Sequence, residues 1–207
     1  MDREKLTKEK VEVLGPSVDK LLTMVGAARD AFNRHSRSSL DGLKNLKIEV
    51  AQGIRAAIKE NETRMAQKSG GEQVVLLRLQ SILSHLEIID ETIGGLAEPL
   101  HKKVQEGVLF SDKAVSQTNY LFDQQAGMLR SLLDIIKTDN EFLKKYVLET
   151  SRNLIQSCID FATEHETRMI EGVCLPQAAP LFLAILDRIR IICQHEVDIV
   201  HLMGRKS

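Results

Sequence analysis

Four ionisable side chains crowd two turns of one apolar-periodic stretch: His85, Glu87, Asp90 and Glu91. Glu87 and Glu91, at i and i+4, fall on one face of a helix, where two carboxylates can chelate a hard or borderline cation. Like charges at that spacing repel each other, so such a ladder gains from a counter-cation. Without one it is a solvated acidic face. A second cluster lies near the chain's end, where His195 is followed by Glu196 and Asp198. Glu98 with His101 and Asp198 with His201 each set an acid three residues before a histidine, the spacing used in di-iron carboxylate bundles. Pro99 spoils the helical geometry inside the first pair, and inward glutamates from further helices are not evident. Cys158, Cys174 and Cys193 show no CxxC spacing and cannot all pair, which fits free thiols in a reducing compartment. No phosphate-cradling glycine loop and no nucleophile motif occurs.

The elements that position these residues are helices. With 43% hydrophobic residues and few glycines, prolines and aromatics, the composition favours an all-α fold with a sizeable core. Apolar residues recur at steps of three and four in about six stretches. The first carries Val18, Leu21, Val25 and Phe32 after a start signal at Gly15-Pro16-Ser17; residues 1–16 read as a flexible arm or a solvated helix. The second runs from about Ser39 to Gln67 and stops at Gly70-Gly71. The third is the most regular, with Leu79, Ile82, Leu86, Ile89, Ile93, Leu96 and Leu100 inward and Pro99 expected to kink or end it. Residues 105–111 read as a linker. The fourth stretch starts near Ser111-Asp112, the fifth spans Glu141 to Glu171 behind an Asn140 cap, and the sixth spans Ala178 to Met203.

An internal repeat organises them. Glu60-Asn61-Glu62-Thr63-Arg64-Met65 reappears as Glu164-His165-Glu166-Thr167-Arg168-Met169, 104 residues on. Carried forward, that offset pairs Leu77 with Leu181, Leu79 with Leu183, Ile82 with Leu186, Ile88 with Ile192, Ile93 with Val197 and Leu96 with Val200. The expected architecture is a tandem pair of three-helix bundles, residues 1–104 and 105–207. The 28 basic and 29 acidic residues are intermingled, so no basic field addresses a nucleic acid. The longest apolar run, Ala178 to Leu186, is too short to span a bilayer, and the acidic and basic mixture at the N-terminus is unlike a signal peptide, so a cytoplasmic location is expected.

Residues Leu86 to Glu98, Leu-Glu-Ile-Ile-Asp-Glu-Thr-Ile-Gly-Gly-Leu-Ala-Glu, resemble the Glu-Arg-Ile-Gly-Asp motif and Asn-Ile-Ala-Glu tail of the PhoU family of phosphate-transport regulators. Glu87 takes the first acidic place and Glu91 the second. In the second half Gln194 to Val200 resembles the family's Asp-His-x-x-Asn-Ile-Ala form, His195 matching the histidine, with Arg190 and Gln194 where the two acids belong. The resemblance implies a tandem of three-helix units. It also implies a non-enzymatic, cytoplasmic regulator or adaptor that binds divalent or iron-type metal on acidic helix faces and relays phosphate status between a transporter and a sensor kinase. The sequence itself leaves the oligomeric state open, a homodimer being one candidate assembly. Glu87, Glu91, Asp90 and His195 are the candidate metal ligands. Glu49 is the helix-two acid that could complete the first site, and its counterpart in the second half is Asn153. A metal-free helical interaction scaffold and a di-iron carboxylate enzyme are the alternatives.

Overall fold

The computed structural model describes the backbone of residues 3–204 and the side chains of residues 11–204. The described residues form seven helices: α1 (Arg3–Arg34), α2 (Arg37–Met65), α3 (Gly71–Gly94), α4 (Ala97–Gln105), α5 (Asp112–Thr138), α6 (Glu141–Ile170) and α7 (Ala178–Gly204). Among the described residues there is no strand. The caps are those the side chains dictate. Ser36 Oγ accepts from Ser39 N, Ser111 Oγ from Ala114 N, and Asn140 Oδ1 from the amides of Phe142 and Leu143, each satisfying donors that a helix start leaves free.

Two boundaries differ from expectation. The first helix does not start at Gly15-Pro16-Ser17: of the two readings of the preceding arm the helical one holds for residues 3–16, and α1 runs through Pro16 without a break. Leu14 and Val18 on either side of the proline are fully buried, so packing holds the helix together where an amide is missing. The third stretch divides at Gly94-Gly95-Leu96 rather than at Pro99. Pro99 sits in the first turn of α4, where its lost amide has no helical partner to miss.

Within the first half α2 lies against α1 and α3; within the second, α6 lies against α5 and α7. The halves join helix to helix, α1 on α5 and α3 on α7. A continuous apolar core runs through both, with Phe32, Phe122 and Phe182 among its largest buried side chains. Phe110, in the segment between α4 and α5, stacks edge-on against Phe32 and Phe182, and so pins the connection between the halves onto that core.

Burial follows the repeat, with one correction to its register. In α1 and α5 the inward sets agree at an offset of 104, Val18 with Phe122 and Ala28 with Leu132 among them; so do those of α2 and α6, Leu43 with Val147 and Ile54 with Cys158. In α3 and α7 they agree 103 residues apart: Leu79 with Phe182, Ile82 with Ile185, Leu86 with Ile189, Ile89 with Ile192 and Leu96 with Ile199. The expected pairs Leu77 with Leu181, Leu79 with Leu183 and Ile88 with Ile192 each join an exposed residue to a buried one. The path from α6 into α7 is one residue shorter than that from α2 into α3. One residue rotates a helix by about 100°, enough to turn a core position outward.

The repeated hexapeptide serves packing. Asn61 is buried and donates through Nδ2 to the Leu76 carbonyl at 3.0 Å and to Gln80 Oε1 at 2.7 Å, tying α2 to α3. Its counterpart His165 is buried against the Phe182 ring, with centroids 4.8 Å apart, and burial followed by the nearby Arg168 charge pushes its pKa down.

Candidate functional site

The acidic residues of α3 part company in the fold. Glu87 and Glu91 point toward α2. Glu91 Oε2 meets Lys47 Nζ at 2.8 Å, and Glu87 Oε1 stands 3.8 Å from Arg55 Nε. The Lys47 stem reaches Glu91 by crossing Gly94, where a Cβ would overlap its Cδ. Asp90, one position before Glu91, is fully buried, with no hydrogen-bond partner for either carboxylate oxygen. Burial and then the neighbouring Glu91 push its pKa up to about 7, while Lys47 draws it down. Glu49 pairs with Lys20 of α1 at 2.8 Å, away from the α3 acids, and Asn153 is exposed. The cations that neutralise this acidic face are thus Lys47 and Arg55, and Glu87, Asp90 and Glu91 do not converge as one open ligand set.

His195 lies elsewhere, on the seam between α3 and α7. The two helices run antiparallel there, since His85 faces His195 while Gly95, further along α3, faces Arg188, earlier along α7. His85 Nδ1 and His195 Nδ1 are 2.8 Å apart. Asp198 Oδ2, one turn beyond His195, is 4.0 Å from both nitrogens. All three side chains are partly exposed. Desolvation, then the adjacent His85, lower the His195 pKa, and Asp198 partly opposes them. Among the described residues these three form a group of ligating atoms close enough to share a metal ion. The sequence sets His85 among the α3 acids and Asp198 beside His195, but it does not join the two groups, because the contact between the histidines spans 110 residues.

Glu196, the neighbour of His195, is in the core. Its Oε1 accepts from Gln125 Nε2 at 2.8 Å, and its Oε2 has no partner. Burial pushes its pKa up to about 8 against the stabilising Gln125 bond. Gln125 Oε1 in turn faces Cys193 Sγ at 3.6 Å, and Ser151 Oγ donates to the Cys193 carbonyl at 3.3 Å. This buried polar chain links α5, α6 and α7. Cys158 and Cys193 are buried free thiols; burial raises both pKa values, that of Cys158 to about 12, so neither is a ready nucleophile at neutral pH. Glu98, His101 and His201 are exposed, at positions that do not bring the two acid-histidine pairs to a common centre in the bundle.

No protein-family model matches the chain, and no curated protein sequence does. Among solved structures, the crystal structure of PhoU from Pseudomonas aeruginosa superposes with a TM-score of 0.86, covering 98% of this chain and 97% of that one at 15% sequence identity. At that identity the likeness is one of fold, and it extends end to end: the chain has a PhoU-like, all-α fold.

Proposed function

We propose that this PhoU-like chain is a non-enzymatic regulatory or adaptor protein that acts by contact through its helical surface and is tied to phosphate transport or its signalling. The observation that carries the proposal is the match of fold with a PhoU protein across both halves of the chain. The motif on α3 adds to it, since Glu87 and Glu91 stand at the acidic places the family resemblance assigns. A transporter component or a sensor kinase is the partner class, in the cytoplasm, with a homodimer as the working assembly. No described helix is long and apolar enough to cross a membrane, so a membrane-bound partner would be reached by surface contact.

The test is affinity isolation of the tagged, cross-linked chain from its native cell in phosphate-rich and phosphate-starved medium. Enrichment of a phosphate-transporter subunit or a sensor kinase, changing with phosphate supply, is the expected result. Recovery of neither above an untagged control removes the proposal.

A metal-free interaction scaffold is favoured by one specific observation, the occupation of Glu91 and Glu87 by Lys47 and Arg55. A divalent or iron-type ion on that face would have to displace both bases and draw Asp90 out of the core. Metal titration of the parent chain beside Glu87→Gln with Glu91→Gln separates the scaffold, in which those two acids hold no ion and the variant binds as the parent does, from a regulator that loses metal with them.

A further inference from the structure

We propose that His85, His195 and Asp198 form a binding site for a borderline divalent cation of the zinc type, clamping α3 to α7 across the junction between the two halves. The inference concerns a set of ligands distinct from the acidic face and does not depend on the regulatory role.

Geometry carries it. The two Nδ1 atoms and Asp198 Oδ2 form a triangle with sides of 2.8, 4.0 and 4.0 Å. The point equidistant from its corners lies about 2.1 Å from each, the length of Zn–N and Zn–O bonds. A tetrahedral ion would ask the imidazole nitrogens to open from 2.8 to about 3.3 Å, a side-chain adjustment. Asp198 cannot be explained as a hydrogen-bond acceptor of either ring, because 4.0 Å is too long. Closing to about 3.4 Å, also a side-chain adjustment, would let the carboxylate share a tetrahedral ion with them. Two imidazoles and one carboxylate suit zinc and its neighbours better than magnesium or calcium, which prefer all-oxygen shells. Partial exposure of all three side chains leaves a fourth position open to water or to a partner's ligand.

The repeat shows what stands at the corresponding end of the same seam. At the offset of 103 that governs burial in α3 and α7, His85 corresponds to Arg188, His195 to Thr92 and Asp198 to Gly95. Arg188 lies over Gly95, its Nε 2.9 Å from where a Cβ would be, and its Nη2 is 3.9 Å from Glu98 Oε2. One end of the seam therefore holds a fixed guanidinium, and the other holds ligands for a cation that comes from solution. His85 belongs to the first half and the other two ligands to the second, so the ion would bridge the halves through three side chains.

The full chain, stripped with chelator and dialysed, is titrated with Zn²⁺ and with Co²⁺ as a spectroscopic probe. The variants are His85→Gln, His195→Gln, Asp198→Asn and, as a control, Glu87→Gln with Glu91→Gln, each checked by circular dichroism. The expected result is one ion per chain and a tetrahedral Co²⁺ spectrum. Each ligand variant should weaken binding at least tenfold, and the control should bind as the parent does. X-ray absorption on the zinc-loaded parent should show two imidazole ligands, a readout independent of any variant's folding. Absence of binding at micromolar Zn²⁺, a shell without imidazole, or binding lost with Glu87 and Glu91 but kept in the three ligand variants overturns the proposal.

Discussion

Replacing the buried Glu196 by glutamine should stabilise the protein increasingly as pH rises. The Glu196 carboxyl is held at a pKa of about 8, against 4.5 for an ordinary glutamate, because burial opposes its ionisation. A carboxyl raised in this way contributes fully below pH 4.5, where both states hold the proton, and its contribution is lost as pH climbs through 8. Each pH unit in that window is worth about 1.4 kcal/mol. Between pH 5 and pH 8 the parent should therefore lose about 3 to 4 kcal/mol relative to Glu196→Gln. The amide keeps an oxygen for Gln125 Nε2, so the 2.8 Å bond survives, and it cannot ionise. Asp90, also raised, is present in both proteins and cancels from the comparison. Urea unfolding of the two proteins at pH 5, 6, 7 and 8 reads the difference directly. Parallel stability curves across that range would mean that Glu196 is ionised or solvated in the folded chain, and the packing of α7 against α5 described above would be wrong.

Lys103 should show the opposite dependence. It is buried, donates to the Phe32 carbonyl and faces His35 Nε2, both at 2.9 Å, and burial lowers its pKa to about 8 from 10.5. The folded chain releases that proton before the unfolded one, so relative to Lys103→Met the parent should gain about 2 kcal/mol between pH 7.5 and 9.5 in the same unfolding assay; a constant difference would refute the burial. Gly95→Ala should cost about 1–3 kcal/mol, because the new methyl would meet Arg188 Nε at 2.9 Å and the Glu91 carbonyl at 3.2 Å. An unchanged melting temperature would show that the seam between α3 and α7 is looser than drawn.

Why some of this was legible in the sequence and some was not follows from how far each signal reaches. The spacing of Leu79, Ile82, Leu86, Ile89, Ile93, Leu96 and Leu100 marks a buried stripe without knowledge of its partner, and all seven are buried. The caps at Ser111 and Asn140 are equally local. The repeat was visible through its hexapeptide, but the one-residue shortening before α7 leaves no mark in an irregular connection, and carrying 104 through it rotated the matched faces. Pro16 stays inside a helix because tertiary burial of Leu14 and Val18 outweighs a local breaker. Asp90 and Glu196 carried a readable signal: each sits at core spacing, between Leu86 and Ile93 and between Cys193 and Val200. Their charge alone makes such residues look like surface. The pairing of Glu91 with Lys47, and of His85 with His195, depends on which helices become neighbours.

Regulation by contact in response to phosphate, the role proposed for this PhoU-like chain, can be tested in the cell. The most direct measurement is phosphate uptake, together with a phosphate-starvation reporter, in native cells with the chain deleted and then restored. Loss of the chain should uncouple the reporter or the uptake rate from external phosphate, and restoring the parent chain should recover the coupling. Uptake and reporter curves that are the same with and without the chain, across starved and replete media, would contradict the claim.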